Sequence, residues 1–97
     1  MKLSGNEIQM IKSFFTGKPV LKAYLFGSYS RGEADDDSDL DILVELDYSQ
    51  HIGLGFVGMQ LDLSDMLKKK VDLVSANGLS KHIAPFIEKD KTLIYER

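Results

Sequence analysis

Two aspartates, Asp39 and Asp41, stand two residues apart at the head of the β-forming run Leu40-Asp41-Ile42-Leu43-Val44. Residues at i and i+2 of a strand share one face, and their Cα atoms lie roughly 6.5–7 Å apart at ~3.3 Å rise per residue. Carboxylates so placed repel each other and cost stability unless a cation neutralises them. Hard divalent cations such as Mg²⁺ take oxygen ligands and often combine one or two carboxylates with substrate phosphates. Two such ions about 3.5–4 Å apart can stabilise the attacking and leaving oxygens of an in-line phosphoryl displacement. That chemistry calls for a third carboxylate on a neighbouring strand. Asp72, flanked by apolar residues in Val71-Asp72-Leu73-Val74, is the candidate. The plain alternative for Asp72 is a strand-end aspartate directed at water.

Twelve residues before Asp39 a run of β-branched and aromatic residues ends in Gly27-Ser28-Tyr29-Ser30-Arg31-Gly32. Glycine lets a backbone approach a phosphate closely, and successive N–H groups at such a turn form an anion-binding nest. The Ser28 hydroxyl can donate to a phosphate oxygen, and Arg31 can neutralise phosphate charge as a bidentate fork. A lone Gly-Ser is an ordinary turn; its pairing with the aspartates carries the signal. Between them, Glu33 and residues 35–37 read as a solvated acidic loop. Ser38 is expected to orient Asp39 by a hydrogen bond, and Ser30 to cap the turn. His51 and His82 lack metal-ligand spacing and read as surface or partly packed residues.

The elements that position these residues follow from periodicity. Ile8, Ile11, Phe14 and Phe15 form a helical stripe, with Ser4 and Glu7 spaced as a capping box. Residues 20–26 and 40–46 read as strands. Residues 54–69 carry Phe56, Met59, Leu63 and Met66 at helical spacing, closed by three lysines suited to the negative end of a helix dipole. Residues 71–74 predict a third strand, and 80–89 a short helix interrupted near Pro85. Residues 92–95 form a final extended piece. The order is that of an α/β (α+β) layer fold, a small mixed sheet with helices packed on it.

Composition narrows the function. The 97 residues suit one domain spanning 1–97, and 43% hydrophobic content suffices for one modest core. Twelve basic against fifteen acidic residues give a net charge of −3, so strong duplex nucleic-acid binding is not expected. The chain has no cysteine, which excludes a disulfide scaffold, a thiolate zinc site and a catalytic thiol. No apolar run approaches the ~18–20 residues of a membrane span, and no secretory segment opens the sequence, so a cytoplasmic protein is expected. A sheet covered by few helices leaves apolar area for another chain, either a second copy or a helical partner.

Gly27-Ser28, ten residues, then Asp39-x-Asp41 resembles the G-S-x10-D-x-D signature of the polymerase-beta-type nucleotidyltransferase superfamily. The string from Gly27 to Gly32 and from Ser38 to Val44 looks like its minimal nucleotidyltransferase (MNT) branch. Lys69-Lys70-Val71-Asp72-Leu73-Val74 is similar to the segment bearing that branch's third carboxylate. The resemblance covers residues 20–75 and implies a nucleotidyltransferase fold. It implies that Gly27 and Ser28 hold the β- and γ-phosphates of a nucleoside triphosphate, that Arg31 contacts the triphosphate, and that Asp39, Asp41 and Asp72 ligate one or two Mg²⁺ ions. It implies further that an acceptor hydroxyl attacks the α-phosphorus and pyrophosphate leaves. Members of this branch pair with HEPN ribonuclease toxins, so the resemblance implies an antitoxin that transfers AMP from ATP to a tyrosine of such a partner. Two other readings stand beside it: a binding module that neutralises its partner by contact, and nucleotidyl transfer to a small molecule.

Overall fold

Ser4 opens the first helix as its spacing to Glu7 requires. In the computed structural model, which describes residues 2–97, Ser4 Oγ accepts from the Glu7 amide at 3.1 Å and Glu7 Oε1 accepts from the Ser4 amide at 3.0 Å. These bonds satisfy two donors that a helix start leaves unpaired. The helix α1 (Gly5–Phe15) buries Ile11 and Phe15 completely. Gly17, in the left-handed region at φ 86°, then turns the chain into β1 (Val20–Phe26).

A one-turn helix, α2 (Ser28–Arg31), follows β1 and leads through the acidic loop to β2 (Leu40–Leu46). After α3 (Gly55–Leu67) come β3 (Val71–Ser75), a 3₁₀ turn (Ala76–Gly78), α4 (Ala84–Asp90) and β4 (Thr92–Glu96). The strands form one sheet in the order β3-β2-β1-β4. β1 runs antiparallel to β2 and β4, whereas β2 and β3 are parallel. A parallel pair needs a crossover, and α3 supplies it. The expected mixed sheet is present.

Strand alternation divides the sheet into two faces. Leu40, Ile42, Val44 and Leu46 of β2, with Val71 and Leu73 of β3, join Ile11, Phe15, Met59, Leu63 and Leu67 in the main core. Asp41, Leu43 and Glu45 therefore point the other way. On that second face Leu43 and Glu45 line a cavity of about 430 Å³ with Leu79, Ala84, Glu88 and Lys91. Asp72 lies on the same face and is exposed. β3 is thus a half-buried edge strand, open on the side that carries Asp72.

The edge is closed by side chains of α3. Ser64 Oγ accepts from the Val71 amide at 3.1 Å, and Gln60 Oε1 accepts from the Leu73 amide at 2.9 Å. These are donors that an edge strand would otherwise leave unpaired. The helix is shorter than its apolar spacing predicts, because Lys68 adopts a left-handed conformation at φ 55° and ends it. Its outer side leaves Leu54, Val57 and Leu61 exposed. The last helix departs further from expectation. Pro85 does not interrupt it but occupies its first turn, where the missing N–H has no intrahelical role. No helix among the described residues is long and apolar enough to cross a membrane.

Candidate active site

Gly27 ends β1 at φ 73°, a region costly for any residue with a Cβ. The carbonyl of Gly27 accepts from the Ser30 and Arg31 amides, both at 3.1 Å, and so winds α2. Space gives a second reason for glycine. A Cβ here would run into the Asp41 Oδ2 oxygen, because Phe26 and Asp41 are register partners across β1 and β2. The Gly-Ser turn and the Asp41 carboxylate therefore meet in direct contact.

Asp41 is also the register partner of Asp72 on β3. Neighbouring strands lie roughly 4.8 Å apart, which sets these two side chains side by side on one face. Asp39, half-buried at the mouth of β2, completes the acidic patch. Its Oδ2 lies 3.6 Å from the Nζ of the well-exposed Lys70. The electrostatics report the crowding. Burial, then Asp72, then Asp39 push the Asp41 carboxyl up to about 6, and Arg31 pulls it down. All three predicted aspartates thus share one corner of the sheet with Gly27 and Ser28.

Among the described residues no three His, Cys, Asp or Glu side chains are arranged to hold a metal ion together. The donor chemistry nonetheless fits a hard divalent cation: three carboxylates crowd one patch, and burial, then Asp72 and Asp39, hold the Asp41 carboxyl above its ordinary range. Mg²⁺ is among the hard cations that take such oxygen ligands.

Arg31 is bound to protein carboxylates. Its Nη1 lies 2.6 Å from Asp90 Oδ2 at the end of α4, and its Nε lies 3.3 Å from Glu33 Oε2. Both acids raise the guanidinium above its usual range. Glu33, read from sequence as a solvated loop residue, pairs with Arg31 two positions away, whereas nothing in the spacing ties Arg31 to Asp90, 59 positions on.

Two expected polar roles are different in the structure. Ser38 Oγ donates to Asp35 Oδ1 at 3.2 Å and accepts from the Asp35 amide at 3.0 Å, so it closes the acidic loop and does not orient Asp39. Ser30 Oγ donates to the carbonyl of Asp90, a long-range tie in place of a local cap. Tyr29 is buried, near the Nζ of Lys69 at 6.0 Å from its ring. Lys69 also pairs with Glu7 at 3.5 Å. His51 and His82 are exposed.

A glycine turn pressed against paired strand carboxylates suits an enzyme that moves nucleotidyl groups. Residues 9–97 match the family described as polymerase beta, nucleotidyltransferase, and the chain belongs to that family. It is 39% identical over 66 residues to a protein named protein adenylyltransferase MntA from Thermococcus cleftensis, a match spanning 68% of this chain and 66% of the relative. A solved structure described as a minimal nucleotidyltransferase superposes with a TM-score of 0.77 at 29% identity, covering 90% of this chain and 88% of the other. A Shewanella oneidensis complex, described as a tri-AMPylated HEPN toxin with its MNT antitoxin, shares the fold. The TM-score there is 0.72 at 20% identity, over 95% of this chain and 71% of the other.

Proposed function

We propose that this chain is a Mg²⁺-dependent protein adenylyltransferase that moves AMP from ATP to a tyrosine hydroxyl of a HEPN-type toxin, and so acts as its antitoxin in the cytoplasm. The observation that carries the reading is the contact of Asp41 with Gly27 on one side and its pairing with Asp72 on the other. A triphosphate lying along the Gly27-Ser28 turn then has its α-phosphorus beside the acidic patch. The names of the relative and of the toxin–antitoxin complex supply the acceptor class.

Ser28 and the backbone at Gly27 would bind the β- and γ-phosphates, and Arg31 would offset their charge. Asp39, Asp41 and Asp72 would hold Mg²⁺, which when bound offsets the charge that gathers on the phosphoryl oxygens. The acceptor oxygen forms a bond to the α-phosphorus as the bond to the bridging oxygen breaks, and pyrophosphate leaves. The acceptor proton passes to Asp72, the exposed member of the three and the one an incoming protein can reach. The chain's share of catalysis is positioning and charge placement.

The test is a mass measurement. After incubation with ATP, Mg²⁺ and a HEPN-type partner, the partner should gain about 329 Da per transferred AMP. The Asp39→Asn plus Asp41→Asn variant should give no gain. Transfer at the normal rate by that variant would remove the carboxylates from the reaction. One observation favours a second reading, neutralisation by contact: Leu54, Val57 and Leu61 form an exposed apolar stripe on α3. Silencing of the toxin by the transfer-dead double variant would establish it.

A further inference from the structure

The last residue of α4 reaches across the fold to the residue expected to meet the triphosphate. We propose that Asp90 is a positioning residue for nucleoside-triphosphate binding and acts through Arg31. The inference rests on the reading of the chain as a nucleotidyltransferase and adds a residue that no sequence motif marks.

Two contacts converge on Asp90. Its Oδ2 lies 2.6 Å from Arg31 Nη1, and its side chain is 25% exposed, better shielded than the 42% of Arg31. Its carbonyl accepts from Ser30 Oγ, and the same Ser30 Oγ lies 3.0 Å from Thr92 Oγ1 at the start of β4. Two consecutive residues of the α2 turn are therefore anchored to the α4–β4 junction. Glu33 takes the Arg31 Nε at 3.3 Å. With Nε and Nη1 engaged, Nη2 makes no hydrogen bond among the described residues. That edge of the fork remains for a ligand.

An unanchored arginine samples many rotamers and loses that freedom when it grips a phosphate. Arg31 instead meets its ligand already ordered, in a turn whose first residue is Ser28. The turn that carries Arg31 is capped by Gly27, which sits against the Asp41 carboxylate of the acidic corner. Asp90 has two opposed effects: it orients the guanidinium and it partly cancels its charge. The geometry favours orientation, because the same residue also holds Ser30 through its backbone. Removing the carboxylate should therefore weaken binding. A carboxylate that merely competed with phosphate for Arg31 would have the opposite signature.

Equilibrium binding of a non-hydrolysable ATP analogue with Mg²⁺ to the full chain decides the matter. Asp90→Ala should weaken binding about tenfold, with Asp90→Glu recovering to within about threefold of the parent. Asp90→Asn, of the same shape, should shift binding in the same direction and replaces Asp90→Ala if the latter does not fold. In an Arg31→Ala background the Asp90 substitution should add nothing, since the two act as one unit. In the transfer assay the loss should fall on KM for ATP more than on kcat. Binding that is unchanged or tighter in Asp90→Ala, or an equal loss with and without Arg31, overturns the proposal and leaves the nucleotidyltransferase reading intact. A parent chain that binds no triphosphate overturns both.

Discussion

Asp41 is the residue at which fold and chemistry conflict most directly. Its carboxyl stands at about 6 in the folded chain against 3.8 ordinarily. Between those values the folded state keeps a proton that the unfolded state releases. The stabilisation from that proton is complete below the unfolded value and is lost as pH rises through about 6. With no divalent cation present, the parent should lose stability from about pH 4 to pH 7, and Asp41→Asn should lose less. Discounted for its half-exposed position, the advantage of the variant near neutrality should be on the order of 1 kcal/mol. Urea unfolding in chelator at the two pH values measures it; curves that stay parallel would place Asp41 outside the strained patch. Gly27 makes a second, sharper case. Gly27→Ala must bear φ 73° and ψ −152°, a region essentially reserved for glycine and costing about 1–3 kcal/mol, and must displace the Asp41 carboxylate. It should cut AMP transfer more than tenfold, and denaturant titration should show a loss of that order. Sequence pattern identified the glycine for its flexibility, but the steric demand of Asp41 lies in the β1–β2 register and is visible only in three dimensions.

Among the elements, β3 shows how a sequence can name a strand and still misjudge its setting. Its apolar residues predict burial, yet only Val71 and Leu73 meet the core, while Asp72 faces outward. Alternation was legible; which face a neighbour covers was not, because that depends on where α3 crosses. The same crossing brings Gln60 and Ser64 to the strand's free amides. Gln60→Leu keeps the helix but removes the acceptor for the Leu73 amide. It should cost about 1–2 kcal/mol and expose that amide to exchange. Hydrogen exchange read at Leu73, against an unchanged rate at a β1 amide such as Leu25, isolates the effect; equal protection in the variant would mean that α3 does not brace β3. The loosened strand should also weaken transfer, since Asp72 rides on it. α1, β1 and β2 followed their sequence signals closely because capping and periodicity act locally. The Pro85 helix did not, because proline is a breaker inside a helix and a starter at its first turn, and the local composition does not say which.

For the whole molecule, stability and chemistry are assigned to opposite faces of one sheet. The helices α1 and α3 cover the face that holds the main core, Asp41 and Asp72 stand on the other, and Asp39 lies just before β2 within electrostatic reach of Asp41. The aspartates can therefore be removed without opening a cavity, and their mutual repulsion goes with them. A chain with Asp39, Asp41 and Asp72 all changed to Asn should keep the circular dichroism spectrum of the parent and melt at an equal or higher temperature in chelator near pH 8. Added Mg²⁺ separates the two proteins. Binding to the folded state alone stabilises by mass action, about 2.7 kcal/mol at a hundredfold excess over Kd. Millimolar Mg²⁺ with an ATP analogue should therefore raise the melting temperature of the parent and leave the triple variant unmoved. The shift should be larger for cation and nucleotide together than for either alone, because the phosphates would supply ligands that the carboxylates do not. An equal rise in both proteins would place the cation elsewhere and dissolve the link between the acidic corner and the Gly27-Ser28 turn.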